Sequence, residues 1–219
     1  MATASLKKAV LTAAGLLVGL FFIAPYLQML ITSLTPGDQL YEIPAQYLPS
    51  SFDLENFIRV WEEAPLWGYL RSSLIIATFA TLLALAVALP AAYYTARYRY
   101  RGRLAFLLLV LVTQMFAPTA LVIGIYREFV TIGDIFPAAG VNTYLALIIV
   151  NAAFNLAFST WIMVAYFSTI PVELEEAAAI DGATRLGVLR RVTLPLALPG
   201  IVTATIFTFI AAWNEFVVA

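Results

Sequence analysis

Five long apolar runs constrain this chain more than any other feature. They cover residues 9–31, 74–94, 104–125, 144–167 and 201–218. Each is close to the roughly 17–25 residues that a helix needs to cross a hydrocarbon core about 30 Å thick. None alternates with period two, so a transmembrane barrel is a poor fit. Helices are then the remaining way to satisfy every backbone polar group in lipid. The expected fold class is an all-α, polytopic helical bundle with five visible spans.

The first run follows Lys7 and Lys8, as the core of a signal peptide would. Such a core is only about 7–15 residues long, whereas this run would extend roughly 34 Å as a helix. It is expected to be a retained span.

Composition supports lipid exposure: 63% of the chain is hydrophobic and 11% is charged, against about a quarter charged in soluble domains. A net charge of −1 offers no basic field for nucleic acid. With neither Cys nor His, disulfides, thiolate or imidazole metal sites, and Ser-His or Cys-His nucleophiles are excluded. A membrane-embedded enzyme therefore has little to work with, and no catalytic or metal residue is assigned.

The basic residues set an orientation. With the N-terminus in the cytoplasm, inner segments hold Lys7, Lys8, Arg97, Arg99, Arg101, Arg103, Arg185, Arg190 and Arg191, while outer segments hold only Arg59, Arg71 and Arg127. The positive-inside rule selects this topology. It places a single permease domain over 1–219, with an outer loop at 35–68 and a cytoplasmic loop at 170–198.

In the outer loop, Pro36, Pro44 and Pro49 break the chain early, and Glu42 is one of its acids. Leu54, Phe57, Ile58 and Trp61 then form a helical stripe, with Asp53 as N-cap. A helix lying on the membrane surface and a partner-binding helix both fit. Gly15 and Gly19 form a GxxxG pair that would suit close helix packing. Pro25, Pro90 and Pro118 are expected to kink their spans.

Several polar residues interrupt the spans. Asn151, Asn155 and Ser159 share one helix face. Gln114 sits mid-span before Pro118, and Asn214 and Glu215 fall in the last run. An ionised carboxylate at mid-bilayer needs water or a partner. Gln114, Asn151, Asn155, Asn214 and Glu215 are therefore candidates for a translocation path or a subunit interface. Interhelical hydrogen bonds remain an equal reading for Asn151 and Asn155.

The cytoplasmic loop reads as two short helices and a turn. Pro171 suits a first helical position. Glu173, Glu175 and Glu176 suit the positive end of a helix dipole. Three alanines follow, a thin helical face able to enter a groove, and Asp181-Gly182 signals a turn. Leu186, Leu189 and Val192 stripe the second helix. Arg190 and Arg191 near its C-terminus suit both the dipole and anionic lipid headgroups, and Pro195 is expected to stop it.

These residues carry a family resemblance. Glu176-Ala177-Ala178, then Gly182, then Val192 and Leu194-Pro195 resemble the EAA loop of ABC-importer permeases, with Val192 where Ile is usual. Ala92-Tyr93 through Ala96-Arg97 to Gly102, the run from Pro171 to Glu176, and Ala212-Trp213-Asn214-Glu215-Phe216 are similar to the sugar branch. Over nearly all of the chain the sequence is similar to the maltose-type permease subunit of the G kind. Arg71-Ser72 stands where the family has Asn-Ser.

The resemblance implies a type I importer permease in a bacterial or archaeal inner membrane. It implies six spans and further residues, so this sequence is expected to be a truncated piece. It implies that Glu176, Ala177, Ala178, Asp181, Gly182 and Arg185 dock on a cytoplasmic ATPase, with Gly182 at a turn that a Cβ would obstruct. The partners it implies are a pair of ATPases carrying ATP and Mg2+, a second homologous permease, and an extracytoplasmic sugar-binding protein. Independently, no Gly-Lys pair occurs, so the chain lacks a phosphate-binding loop of its own and no cofactor is expected on it. A gradient-driven transporter or channel is the competing class. Glycerophosphate-type compounds and polyols are the competing substrates.

Overall fold

A computed structural model describes residues 2–41 and 48–215. Glu42, Pro44, Phe216 and the 216–218 end of the last predicted span lie outside the described residues. The chain, expected as one domain, divides into two compact units, Met1–Gly68 and Tyr69–Ala219.

The first unit holds α1 (Ala2–Ser33) and α2 (Asn56–Glu63). α1 runs uninterrupted through Pro25, and a Cβ at Gly15 or Gly19 would meet nothing within 4 Å. The GxxxG pair thus makes no close helix contact among the described residues. The Asn56 amide donates to the carbonyls of Ser33 (3.2 Å) and Thr35 (3.1 Å), which fastens α2 to the end of α1. Asp53 does not cap α2. Its carboxylate accepts from the Glu55 amide at 2.8 Å, forming a turn two residues ahead of the helix, and Glu55 holds the N-cap position. Leu54 therefore precedes the helix. Phe57, Ile58 and Trp61 are exposed on it, and the Trp61 and Trp67 rings pair at 5.7 Å.

The second unit is built on α3 (Leu66–Arg97), α6 (Tyr144–Phe167) and α10 (Leu198–Trp213). α3 is longer than the apolar run that predicts it and passes through Pro90 unbroken. α6 matches its run. Thr143 starts it by accepting from the Ala146 amide at 3.2 Å, the expected role of a threonine N-cap.

The third predicted span is not one straight helix. α4 (Arg103–Thr113) and α5 (Pro118–Ile135) meet at 94°. Pro118 lacks an N–H and forces Ala117 into extended backbone (φ −66°, ψ 133°), so the helix cannot continue across it. Among the described residues three helices are long and apolar enough to cross a membrane alone, or up to five spans if each bent pair is one span.

Small residues make the core. Ala77, Ala80, Ala84, Ala88 and Ala92 line the buried face of α3, and Ala152 of α6 and Ala212 of α10 join the first three. In lipid, helices gain by close packing rather than by leaving water, so small side chains at the seam bring the backbones together. Gly200 is the tightest point: a Cβ there would enter the ring of Tyr166 on α6. Larger residues fill the end nearest the 170–198 loop, where Met163 and Phe167 are fully buried against Leu85 and Ala204.

Candidate functional site

The loop after α6 folds as predicted in outline and departs in detail. α7 (Glu173–Ile180) begins two residues later than Pro171, with Val172 at its N-cap. Pro171 therefore directs entry into the helix instead of starting it. α7 closes on a Schellman motif: the Gly182 amide donates to the Ala179 carbonyl (3.1 Å) and the Ala183 amide to that of Ala178 (3.0 Å). Gly182 has φ +86° and open space where a Cβ would be. Its requirement is the left-handed backbone, which L side chains resist, and not the steric obstruction expected.

After the turn, Thr184 caps α8 (Arg185–Val188) by accepting from the Gly187 amide at 3.2 Å. The helix then widens into a π-turn, Leu189–Thr193, where the Leu194 amide reaches back five residues to the Leu189 carbonyl. Pro195 explains this. Its ring excludes the carbonyl four residues earlier, and it has no N–H to offer. Pro195 does not stop the helix. The chain continues through α9 (Leu194–Leu196) and bends 73° into α10.

Burial splits the loop into a base and a tip. At the tip Glu176, Ala177, Asp181, Gly182 and Arg185 are exposed, and Ala178 is half-buried. Arg185 turns back on Tyr98, donating to its hydroxyl at 3.3 Å and lying 5.9 Å above its ring. Two apolar side chains outside the predicted docking set stand beside them: Ile180 is 86% exposed and Leu186 59%. In the sequence Leu186 reads as part of a helical stripe and Ile180 carries no signal of its own, and only the fold leaves both facing outward.

The base is held by one carboxylate. Glu175 Oε1 accepts from Arg97 Nε at 2.8 Å and from Thr193 Oγ1 at 2.8 Å, and Oε2 accepts from the Tyr93 hydroxyl at 3.0 Å. Arg97 Nη2 lies 2.8 Å from Oε1 outside hydrogen-bond geometry. Nη1 donates to the Phe167 carbonyl at 2.9 Å. The side chains of Arg97 and Glu175 are 6% and 10% exposed. In the sequence Glu175 reads as one of three equivalent acids, with Glu173 and Glu176. Its position on the inward side of α7 is the feature that distinguishes it. The contacts also bring Tyr93, Arg97 and Tyr98 to the loop at one end of the unit, while Ser72 meets Tyr144 at 2.8 Å near the starts of α3 and α6.

Of the in-span polar residues, Asn151, Asn155 and Ser159 of α6 are buried or half-buried, whereas Gln114 is exposed. Asn151 is buried and donates to the Leu147 carbonyl at 2.9 Å, leaving its Oδ1 without a hydrogen bond among the described residues. Asn155 donates to the Asn151 carbonyl at 2.8 Å, and Ser159 meets Thr208 of α10 at 2.7 Å. Gln114 ends α4 and donates to the Phe154 carbonyl at 2.8 Å, tying the α4–α5 bend to α6. Asn214 caps α10, so Asn214 and Glu215 lie at and just past its end and not inside a helix as predicted. Asn214 is exposed and Glu215 half-buried.

Comparison with known proteins places this geometry. The family model described as "Binding-protein-dependent transport system inner membrane component" matches residues 88–219. The chain is 34% identical over 216 residues to the trehalose/maltose transport system permease protein MalG of Thermococcus litoralis, covering 98% of this chain and 75% of that one. It is 34% identical over 201 residues to the sulfoquinovosyl glycerol transport system permease protein SmoH of Agrobacterium fabrum, covering 92% and 67%. With the diacetylchitobiose uptake system permease protein DasC of Streptomyces coelicolor it shares 34% over 205 residues, covering 93% and 71%. Among solved structures, a bacterial ABC transporter involved in the import of the acidic polysaccharide alginate superposes with a TM-score of 0.77 at 24% identity, over 97% of this chain and 72% of that one. That likeness establishes the fold.

Proposed function

Because the chain belongs to the family of binding-protein-dependent transport system inner membrane components, we propose that its 176–186 tip docks on a cytoplasmic ATPase while its spans pass a sugar or oligosaccharide. The chain is a non-catalytic, multi-pass membrane permease subunit of such a system. The observation that carries the docking assignment is the division of the loop. Ile180, Glu176, Ala177 and Asp181 are presented outward on a capped, rigid turn, while the base is locked into the bundle through Glu175. An exposed apolar residue ringed by polar groups is the form of a protein-docking surface.

The sugar assignment is supported by relatives whose names refer to trehalose/maltose, sulfoquinovosyl glycerol and diacetylchitobiose, each of which contains a sugar unit. Family membership supports the partners of this reading: two ATPases carrying ATP and Mg2+, a second permease, and an extracytoplasmic solute-binding protein. The excess of Lys and Arg on one side supports a cytoplasmic N-terminus in a bacterial or archaeal inner membrane.

The test is uptake by vesicles carrying the complex assembled from this chain and the products of neighbouring reading frames. Labelled maltose should enter only with internal ATP and external binding protein. Uptake that survives ATP depletion and collapses with the ion gradient would make the chain a secondary transporter. Competition by glycerophosphodiesters or polyols, but not by sugars, would move the substrate class.

A further inference from the structure

The Glu175 carboxylate joins more segments than any other side chain described at the loop. Through its own two oxygens it holds α7, the C-terminal turn of α3 (Tyr93, Arg97) and the π-turn ahead of α10 (Thr193). Through Arg97 it reaches the last carbonyl of α6, at Phe167. The exposed tip lies between the two points where the loop is pinned, Glu175 on the way out and Thr193 on the way back. A displacement of the tip therefore loads α3, α6 and α10 together. Surface attachments would not do this, because exposed ion pairs are weak and break readily. A buried carboxylate with all its donors in place is costly to disconnect.

The π-turn fits the same role. It is the widened stretch that presents Thr193 to the carboxylate, and such turns recur at functional positions. We infer that Glu175, with Arg97, Tyr93 and Thr193, is a transmission joint that makes the docking loop and the cytoplasmic ends of α3, α6 and α10 move as one body. These are positioning residues: they touch neither ATP nor substrate. The inference rests on the ATPase-docking reading of the loop.

The chain has no cysteine, so Glu173→Cys on α7 and Leu145→Cys at the far end of α6 are its only sites for spin labels, and the partner subunits are used as cysteine-free variants. Both positions are exposed. The distance between the labels is measured by pulsed electron resonance in the full complex in nanodiscs, without nucleotide and with ATP. In the otherwise wild-type complex the distance should not change with ATP, because both labels ride on one body. In Glu175→Gln, which keeps the shape and removes the charge, ATP should shift or broaden the distribution by about one helical turn, ~5 Å. The ATPase should still co-purify and hydrolyse ATP.

A shift of that size in the wild-type background overturns the joint, as does a Glu175→Gln distribution identical to wild type. If Glu175→Gln does not assemble, Arg97→Lys and Tyr93→Phe/Thr193→Val are read by the same criterion, and a wild-type distribution in both overturns it. A wild-type complex that fails to hold the ATPase overturns the docking reading itself, which the co-purification reports separately.

Discussion

Arg97 and Glu175 are 78 residues apart in the chain and meet at 2.8 Å with both side chains almost wholly buried. Buried pairs of this kind are weak evidence of net stability, but leaving either partner alone is severe. Arg97→Met or Glu175→Leu should each cost about 3–5 kcal/mol. The double variant should recover most of that loss, because no uncompensated charge remains. Thermal unfolding in detergent, followed by tryptophan fluorescence, gives all three values. Additive losses would contradict the pairing.

The turn at Gly182 demands a left-handed residue and has room for a side chain. Gly182→Asn should therefore hold the ATPase within about threefold of wild type, since Asn tolerates this backbone. Gly182→Leu should weaken co-purification roughly tenfold or more, the effect of about 1.4 kcal/mol, with membrane insertion unchanged. Equal behaviour of the two variants would mean that surface chemistry, and not backbone conformation, governs this position.

Ile180 and Leu186 project from the tip. If they fill a pocket on the ATPase, Ile180→Asp should lower affinity by about 30-fold, corresponding to a hot-spot loss near 2 kcal/mol. Leu186→Asp should act in the same direction. Neither change should alter the melting temperature of the isolated chain, because neither side chain packs in the core.

Gly200 lies against the Tyr166 ring. Gly200→Ala should destabilise the chain by about 1–3 kcal/mol through overpacking. Adding Tyr166→Ala should make the Gly200→Ala change nearly neutral. A double-mutant cycle without coupling would show that α6 and α10 do not meet there.

Ser159 and Thr208 bond to each other inside the α6–α10 seam. Removing that bond with Ser159→Ala should cost about 0.6 kcal/mol, the average for such bonds in membranes. Uptake should keep its KM. A large KM change would place this face on the substrate path instead.

The turn at Asp181-Gly182 was legible because its determinants are local. Asp181-Gly182 after three alanines specifies a helix end whatever surrounds it, and Pro118 breaks α4 from α5 by its own ring and the residue before it. The polar residues of α6 were harder. Asn151, Asn155 and Ser159 share a face in any helix, but whether that face meets water or α10 depends on what packs against it. The neighbours found here are carbonyls of α6 itself and Thr208. Asp53 misled for a similar reason: a short acid can serve a turn as readily as a helix cap.

The sequence by itself determined the helical class, the number of apolar runs and the capped turn. Each follows from composition, from period, or from residues within a few positions of one another. The tertiary structure alone decided which of three neighbouring glutamates is buried, which apolar residues of the loop face outward, and that Thr193 and Tyr93 serve the same carboxylate. Those facts depend on side chains far apart in the chain meeting where α3, α6 and the π-turn converge, and a carboxylate can be buried there only because its donors arrive with it.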